Sequence, residues 1–146
     1  MAPELAFEWA NTLALLGWAL LVAGVTLKPG KSRHWLLLAG GRLVPLLLCA
    51  AYVLLLAQHW GSAPGGNFGS LAGVTMLFAS PGKLVGGWLH FLAFDLWLGR
   101  WMVDDVLTQQ RSRWLLLPCL PLTFLFGPAG LLLYFGLKAR PDMLRI

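Results

Sequence analysis

WLHFLAFDLWLGRWMVDD, Trp88 to Asp105, decides how the rest of this chain is read. It sets His90, Asp95 and Arg100 on an otherwise apolar run. A transmembrane helix needs about 20 mostly apolar residues to cross a hydrocarbon core of ~30 Å, and this stretch supplies them. An ionisable side chain left unpaired in hydrocarbon is expensive, so such residues face the bundle interior and mark candidate sites. His90, Asp95 and Arg100 are therefore the candidate catalytic residues.

The whole chain shares this character. Of its 146 residues 58% are hydrophobic and only 12% are charged, against roughly 25% charged in an ordinary soluble domain. Four apolar runs are long enough to cross: Leu5–Leu27, Trp35–Ala57, Leu84–Val103 and Trp114–Leu137. They use up most of the chain, so the expected architecture is all-α, with one transmembrane domain over residues 1–146 built as a four-transmembrane-helix bundle. The first run is preceded by Glu4 and carries Glu8 near its start, with no Lys or Arg before it. Secretory signals carry a basic start, so the run reads as a retained membrane helix.

The connections refine the picture. Lys28 to His34 holds Pro29 and Gly30 and reads as a tight turn, which makes the first two helices antiparallel neighbours. Gln58 to Gly69 reads as a loop. Ser70–Ser80 is apolar but too short to cross and reads as an interfacial or re-entrant helix. The last run contains Pro118, Pro121 and Pro128, each of which removes a backbone donor and crowds the carbonyl four residues back. GPAG, Gly127 to Gly130, is the expected break, tolerable in a membrane only where other groups satisfy the freed carbonyls.

The net charge of +5 comes from basic residues at helix ends, which fits orientation and headgroup contact. No basic stripe on a polar surface suggests nucleic-acid binding. Cytoplasmic first and third loops gather Lys28, Lys31, Arg33, Arg111 and Arg113. The opposite choice gathers Lys83, Lys138, Arg140 and Arg145. The short first loop favours the former, with both termini outside the cytoplasm. Cys49 and Cys119 form no CxxC pair and read as packing residues. His34, His59 and His90 show no metal-ligand spacing, and no nucleotide or CxxCH haem motif appears. The expectation is no metal and no cofactor, a haem on a lone His being the one arrangement left open.

Depth suggests a partner for Asp95. At ~1.5 Å per residue Arg42 lies roughly 10 Å in from Trp35, and Asp95 roughly 12 Å in from Val103. Asp95 and Arg100 point about 140° apart, so Arg42 with Asp95 is the expected structural ion pair. His90 shares a face with Trp97, Trp101 and Asp104, and lies near the expected level of Asn11 and Thr12. Trp97, Trp101, Asn11 and Thr123 of the broken last helix are the expected pocket lining, with Trp18 also deep enough to contribute. Gly99 offers another helix a close approach.

Three stretches carry a family likeness. They are LFASP at Leu77–Pro81, WLHFLAFD at Trp88–Asp95 with GRW at Gly99–Trp101, and PCLPLTFLFGPAGLLLY at Pro118–Tyr134. From Leu71 to Tyr134 the chain resembles the plant abscisic-acid-deficient 4 family and its bacterial relatives. The first two helices match only in hydropathy and an Arg-bearing second span. The resemblance implies a multi-pass protein of a bacterial inner membrane or plastid-type membrane, with His90, Asp95 and Arg100 as the polar positions of the signature. The plant member is required for forming neoxanthin from violaxanthin, an isomerisation without net redox change.

Two functions follow as expectations. One is a cofactor-independent isomerase of an isoprenoid or carotenoid, with His90 moving a proton and Asp95, held by Arg42, as partner or base. The other is a binding or scaffold protein for a lipid, pigment or enzyme partner, in which the polar residues fix helix register. Assembly into a homo-oligomer is compatible with either. A transporter has less support, because the helices show no internal repeat.

Overall fold

The computed structural model describes residues 2–139; Arg140 and Arg145, invoked above for orientation, lie outside them. Helix α1 (Pro3–Thr26) opens on a proline, whose missing N–H is not needed in the first turn. It stops ahead of Pro29 and Gly30. The chain turns back into α2 (Lys31–Leu38), which runs through a π turn (Ala39–Leu43) into α3 (Val44–Gln58) as one rod. Pro45 accounts for that turn. Its ring crowds the Gly41 carbonyl and offers it no N–H, and a wider turn just before it relieves the clash. Gly40 also meets α1 here: a Cβ added to it would stand 2.6 Å from the Gly17 carbonyl oxygen. Small residues let these two backbones cross closely.

The loop after Gln58 leads to α4 (Leu71–Ala79), capped by the Ser70 hydroxyl, which accepts from the Gly73 N–H at 3.1 Å. This is the short apolar helix expected at Ser70–Ser80. Pro81 then starts α5 (Pro81–Thr108), a helix of 28 residues that packs against α1, α3, α4 and α6. Its buried stripe of Leu89, Ala93, Leu96, Met102, Val103 and Val106 joins Leu21, Leu48 and Leu55 in the core. A short 3-10 turn (Arg113–Leu115) opens α6 (Leu116–Lys138). Large apolar side chains such as Leu15, Leu47, Leu54, Phe91 and Leu132 point outward, as on a surface made for lipid.

Three helical stretches, Pro3–Thr26, Lys31–Gln58 and Arg113–Lys138, are long and apolar enough to cross a membrane, which makes the fold compatible with a membrane protein. α5 is long enough, but its Gly, Trp, His90, Asp95 and Arg100 leave it less apolar than these three.

The last of these stretches has the composition of a span and the path of a hairpin. At Phe126 (φ −142°, ψ 43°) and Gly127 (φ 3°, ψ −75°) α6 leaves helical geometry. Its first half, 116–125, runs inward from the end where α1 stops. Arg113 Nη1 donates there to the carbonyls of Val25 (2.9 Å) and Leu27 (3.2 Å), and Phe124 meets Trp18 deeper in the bundle. The second half, 128–138, comes back alongside α5. Tyr134 donates to Asp105 at 2.5 Å, Lys138 pairs with Asp105 at 2.6 Å, and Arg111 reaches the Lys138 carbonyl at 3.3 Å. Both ends of α6 thus lie beside the C-terminus of α5, with the bend halfway down it. In place of one straight helix over the expected fourth span, Trp114–Leu137, the chain forms this helical hairpin.

The sequence of the bend explains the turn. Pro128 starts the second half where a missing donor is harmless. Gly130 lets the halves touch, since a Cβ on it would stand 2.5 Å from the Thr123 nitrogen.

Candidate functional site

His90 and Asp95 open onto different sides of α5. The His90 ring lies on Phe94, with centroids 4.5 Å apart and planes 22° from parallel, and Tyr52 of α3 is 5.8 Å away. It borders a groove of about 600 Å³ between α3, α4 and α5, lined also by Leu56, Phe78, Lys83 and Phe91. Gly87 makes room for it, because a Cβ there would press into the Phe78 ring. The groove is apolar, with an imidazole, an ammonium and a phenol at its edges. Asn11 and Thr12 are not part of it. Asn11 accepts from Trp88 Nε1 at 3.0 Å and donates to the Phe7 carbonyl, and Thr12 donates to the Glu8 carbonyl. Trp88 and His90 differ by ~200° around the helix, so α1 meets the tryptophan and misses the histidine.

Asp95 faces the hairpin. A Cβ added to Gly127 would run into its carboxylate. The carboxylate therefore lies at the start of the second half-helix. Beside it a second groove of about 380 Å³ is lined by Phe94, Trp97, Trp101, Pro128 and Leu131. Two of the expected lining residues, Trp97 and Trp101, belong to this groove and not to that of His90. Phe94 divides the two, and Asp95 stays within the electrostatic reach of His90.

The Arg42–Asp95 pair does not form. Among the described residues the ion pairs are Arg100 with Asp104 and Lys138 with Asp105. Two causes are visible. α5 continues to Thr108, so depth counted from Val103 places Asp95 too near the end. Gly41 then packs on the Arg100 stem, where a Cβ would stand 2.9 Å from Arg100 Cβ, and the next residue, Arg42, turns outward and is exposed. Arg42 thus sits at the level of Arg100, roughly 8 Å from that of Asp95. Arg100 binds Asp104 through two contacts, Nη2–Oδ1 at 2.7 Å and Nε–Oδ2 at 2.9 Å. It joins neither groove.

Thr123 is fully buried, with its hydroxyl donating to the Cys119 carbonyl at 2.8 Å, and lines no groove. Trp18 is buried against Gly99 and Phe124. Gly99 therefore admits a close neighbour from α1, though as a side chain and not a backbone. Sequence reasoning missed Tyr52 and Lys83, and the cluster of Asp105, Tyr134 and Lys138. A signal for the cluster existed: an Asp pair closing one helix, and a Tyr and a Lys four apart on another. In that cluster burial pushes the Asp105 carboxyl up, but hydrogen bonds from Lys138 and Tyr134 outweigh it and hold the group below the usual carboxylate range. Among the described residues no three His, Cys, Asp or Glu side chains gather as metal ligands do.

The half of the chain that carries the two grooves is also the half with the family likeness, and the match goes beyond it. A family model described as ABA DEFICIENT 4-like matches residues 5–134. The chain belongs to that family. The match takes in α1 and the α2–α3 rod, which by sequence resembled the family only in hydropathy, as well as the hairpin as far as Tyr134. No curated protein and no solved structure matches the chain. The three polar residues singled out by sequence lie on α5, and the geometry divides them into a groove-facing imidazole, a hairpin-facing carboxylate and an arginine tied to Asp104.

Proposed function

We propose that this chain is an integral membrane protein that binds an elongated isoprenoid, of carotenoid type, in the groove beside His90 and isomerises it by acid–base chemistry without a cofactor. The supporting observation is the groove itself: about 600 Å³, apolar, and bordered by His90, Tyr52 and Lys83. An isomerisation that opens an epoxide needs one group to take a proton from carbon and another to give one to oxygen, with no change in formula. His90 is the base in this reading, and Lys83 or the Tyr52 hydroxyl is the donor. Asp95 becomes a positioning residue that fixes the hairpin behind Phe94.

The same reading sets the topology. α1, the α2–α3 rod and α5 cross the bilayer, while α6 enters and leaves on one side. Irregular backbone at membrane depth is tolerated where protein buries it, and at the bend Gly127 and Gly130 are buried while the Phe126 side chain is exposed. Lys28, Lys31, Arg33, Arg111, Arg113 and Lys138 then gather at one end, which is the cytoplasmic one. The N-terminus lies outside and Lys138 inside, in place of two outside termini. With Cys49 and Cys119 replaced, single cysteines at Glu4 and Lys138 will react with an impermeant maleimide from opposite faces of the membrane. Labelling from one face would return the four-span bundle.

The binding-protein reading keeps support from Asp95, which faces away from the His90 groove. Product analysis and ligand recovery separate the two. His90→Gln should keep the co-purifying isoprenoid and lower product formation about a hundredfold or more. Unchanged products with ligand retained would leave a binding protein.

A further inference from the structure

We propose that Arg33, Arg100 and Arg113 form a receptor for a phosphate-headed lipid whose tail lies in the groove between α1 and the first half of α6. The three arginines come from different elements, the start of α2, the late part of α5 and the turn before α6. Arg113 and Arg100 are the charges that Arg33 feels most strongly. The carboxylate bonded there is Asp104, already held by Arg100 through two contacts. Among the described residues Asp104 is bonded by Arg100 and by neither of the other two guanidiniums.

Two of their nitrogens, Arg33 Nη2 and Arg100 Nη1, are shut off from solvent and have no hydrogen-bond partner. A surface arginine satisfies itself with water. A buried, charged donor without an acceptor is costly, and like charges nearby add to the cost. An anion answers both demands. Phosphate suits the arrangement better than a carboxylate, because its oxygens can meet forks arriving from three directions.

The tail follows from Arg113. Its Nη1 is anchored on the Val25 and Leu27 carbonyls, which holds it at the mouth of a groove of about 400 Å³. Val22, Val25, Leu117, Leu120 and Pro121 make this groove apolar, and Trp114 stands at its edge. Trp at such a level is characteristic of the membrane interface. A charged mouth on an apolar slot fits an amphiphile with an anionic head. The lipid rests on the membrane reading above, whereas the anion rests on the arginines alone. Neither depends on His90 chemistry.

The test uses the full chain purified in neutral detergent, with binding followed by native mass spectrometry and by thermal shift. The probes are a phosphatidylglycerol, a diacylglycerol with the same tails, and inorganic phosphate. Phosphatidylglycerol should bind saturably, diacylglycerol should not, and inorganic phosphate should bind at least about tenfold more weakly than the lipid. Arg33→Gln and Arg113→Gln should each weaken the lipid about tenfold, the loss of one charge-assisted contact. Lys28→Gln removes the same charge from the same end and should change binding less than twofold. Should Arg113→Gln fail to fold, Arg33→Lys, which keeps charge and loses the fork, should still weaken binding severalfold. Equal weakening by Lys28→Gln would mean diffuse surface charge and overturn the site. Inorganic phosphate binding as tightly as the lipid would assign the arginines to a free anion and overturn the tail groove. Neither result bears on product formation at His90.

Discussion

On one side of α5, His90 borders a wide apolar groove and lies against the rings of Tyr52, Phe91 and Phe94. On the other, five residues further along the same helix, Asp95 is pressed against Gly127 where α6 turns back. Both residues looked alike in the sequence: ionisable, on an apolar helix, each with a partner expected from another span, Arg42 for Asp95 and Asn11 or Thr12 for His90. Their surroundings assign them opposite work. The histidine is accessible to whatever enters its groove. The carboxylate is packed against the start of the second half of α6. An ionisable residue in a membrane helix therefore marks a place where something is being held, and that something can be the protein's own backbone.

If the hairpin side is structural and the His90 side is open, the most damaging substitution should fall in the hairpin. Gly130→Val forces a branched side chain against the Thr123 backbone, which cannot swing away as a side chain could. The expected loss is about 3 kcal/mol, the upper part of the range for overpacking, read as a large fall in melting temperature in detergent. Gly136→Val is the control, because an added Cβ there meets nothing within 4 Å. Equal tolerance of the two would break the comparison, since the halves of α6 could not then be in contact.

The clamp that returns the second half comes next. Asp105→Asn removes the carboxylate that receives Tyr134 and Lys138. These are partly exposed contacts, so roughly 1–2 kcal/mol is expected, with faster hydrogen exchange confined to 128–138. The effect carries a pH signature. Asp105 is held below its ordinary range in the folded protein, so its contribution is present above the unfolded value near 3.9. It is lost as pH falls through the lower folded value. The melting temperature of the parent should drop across that acidic window more than that of Asp105→Asn. Parallel acid profiles would show that Lys138 and Tyr134 do not hold the hairpin.

What the sequence could and could not disclose follows from the kind of information each feature needs. Helix positions were legible because apolar length and Pro or Gly punctuation are local. The short α4 and the break near Gly127 to Gly130 both follow from such signals. The direction taken after the break was not legible. Hydropathy counts residues along a line and scores two antiparallel halves like one straight span. What holds the returning half of α6 against α5 is a contact between Lys138, Tyr134 and Asp105, some thirty residues apart in the chain. His90 was found as a candidate, but its neighbours were not, because Tyr52 and Lys83 arrive from other helices whose rotation no single-helix argument fixes. The π turn before Pro45 lies on the helix that carries Arg42, so an ideal-helix wheel is a poor guide to where that side chain points.

The smallest effect belongs to Arg42. By sequence, its pairing with Asp95 made it a residue whose loss would be severe, since breaking a buried pair strands a charge. The structure leaves Arg42 exposed beside Gly41 with Asp95 facing the hairpin, so Arg42→Gln should change stability by about 0.5 kcal/mol or less. Asp95→Asn keeps the size of the side chain beside Gly127 and should change stability by about 1 kcal/mol or less. The decisive quantity is their coupling. Residues that share no partner add, so the double variant should equal the sum of the singles within about 0.5 kcal/mol. A coupling well above that in a thermal or denaturant series would bring Arg42 back to Asp95, and the carboxylate would no longer be free to start the second half of α6.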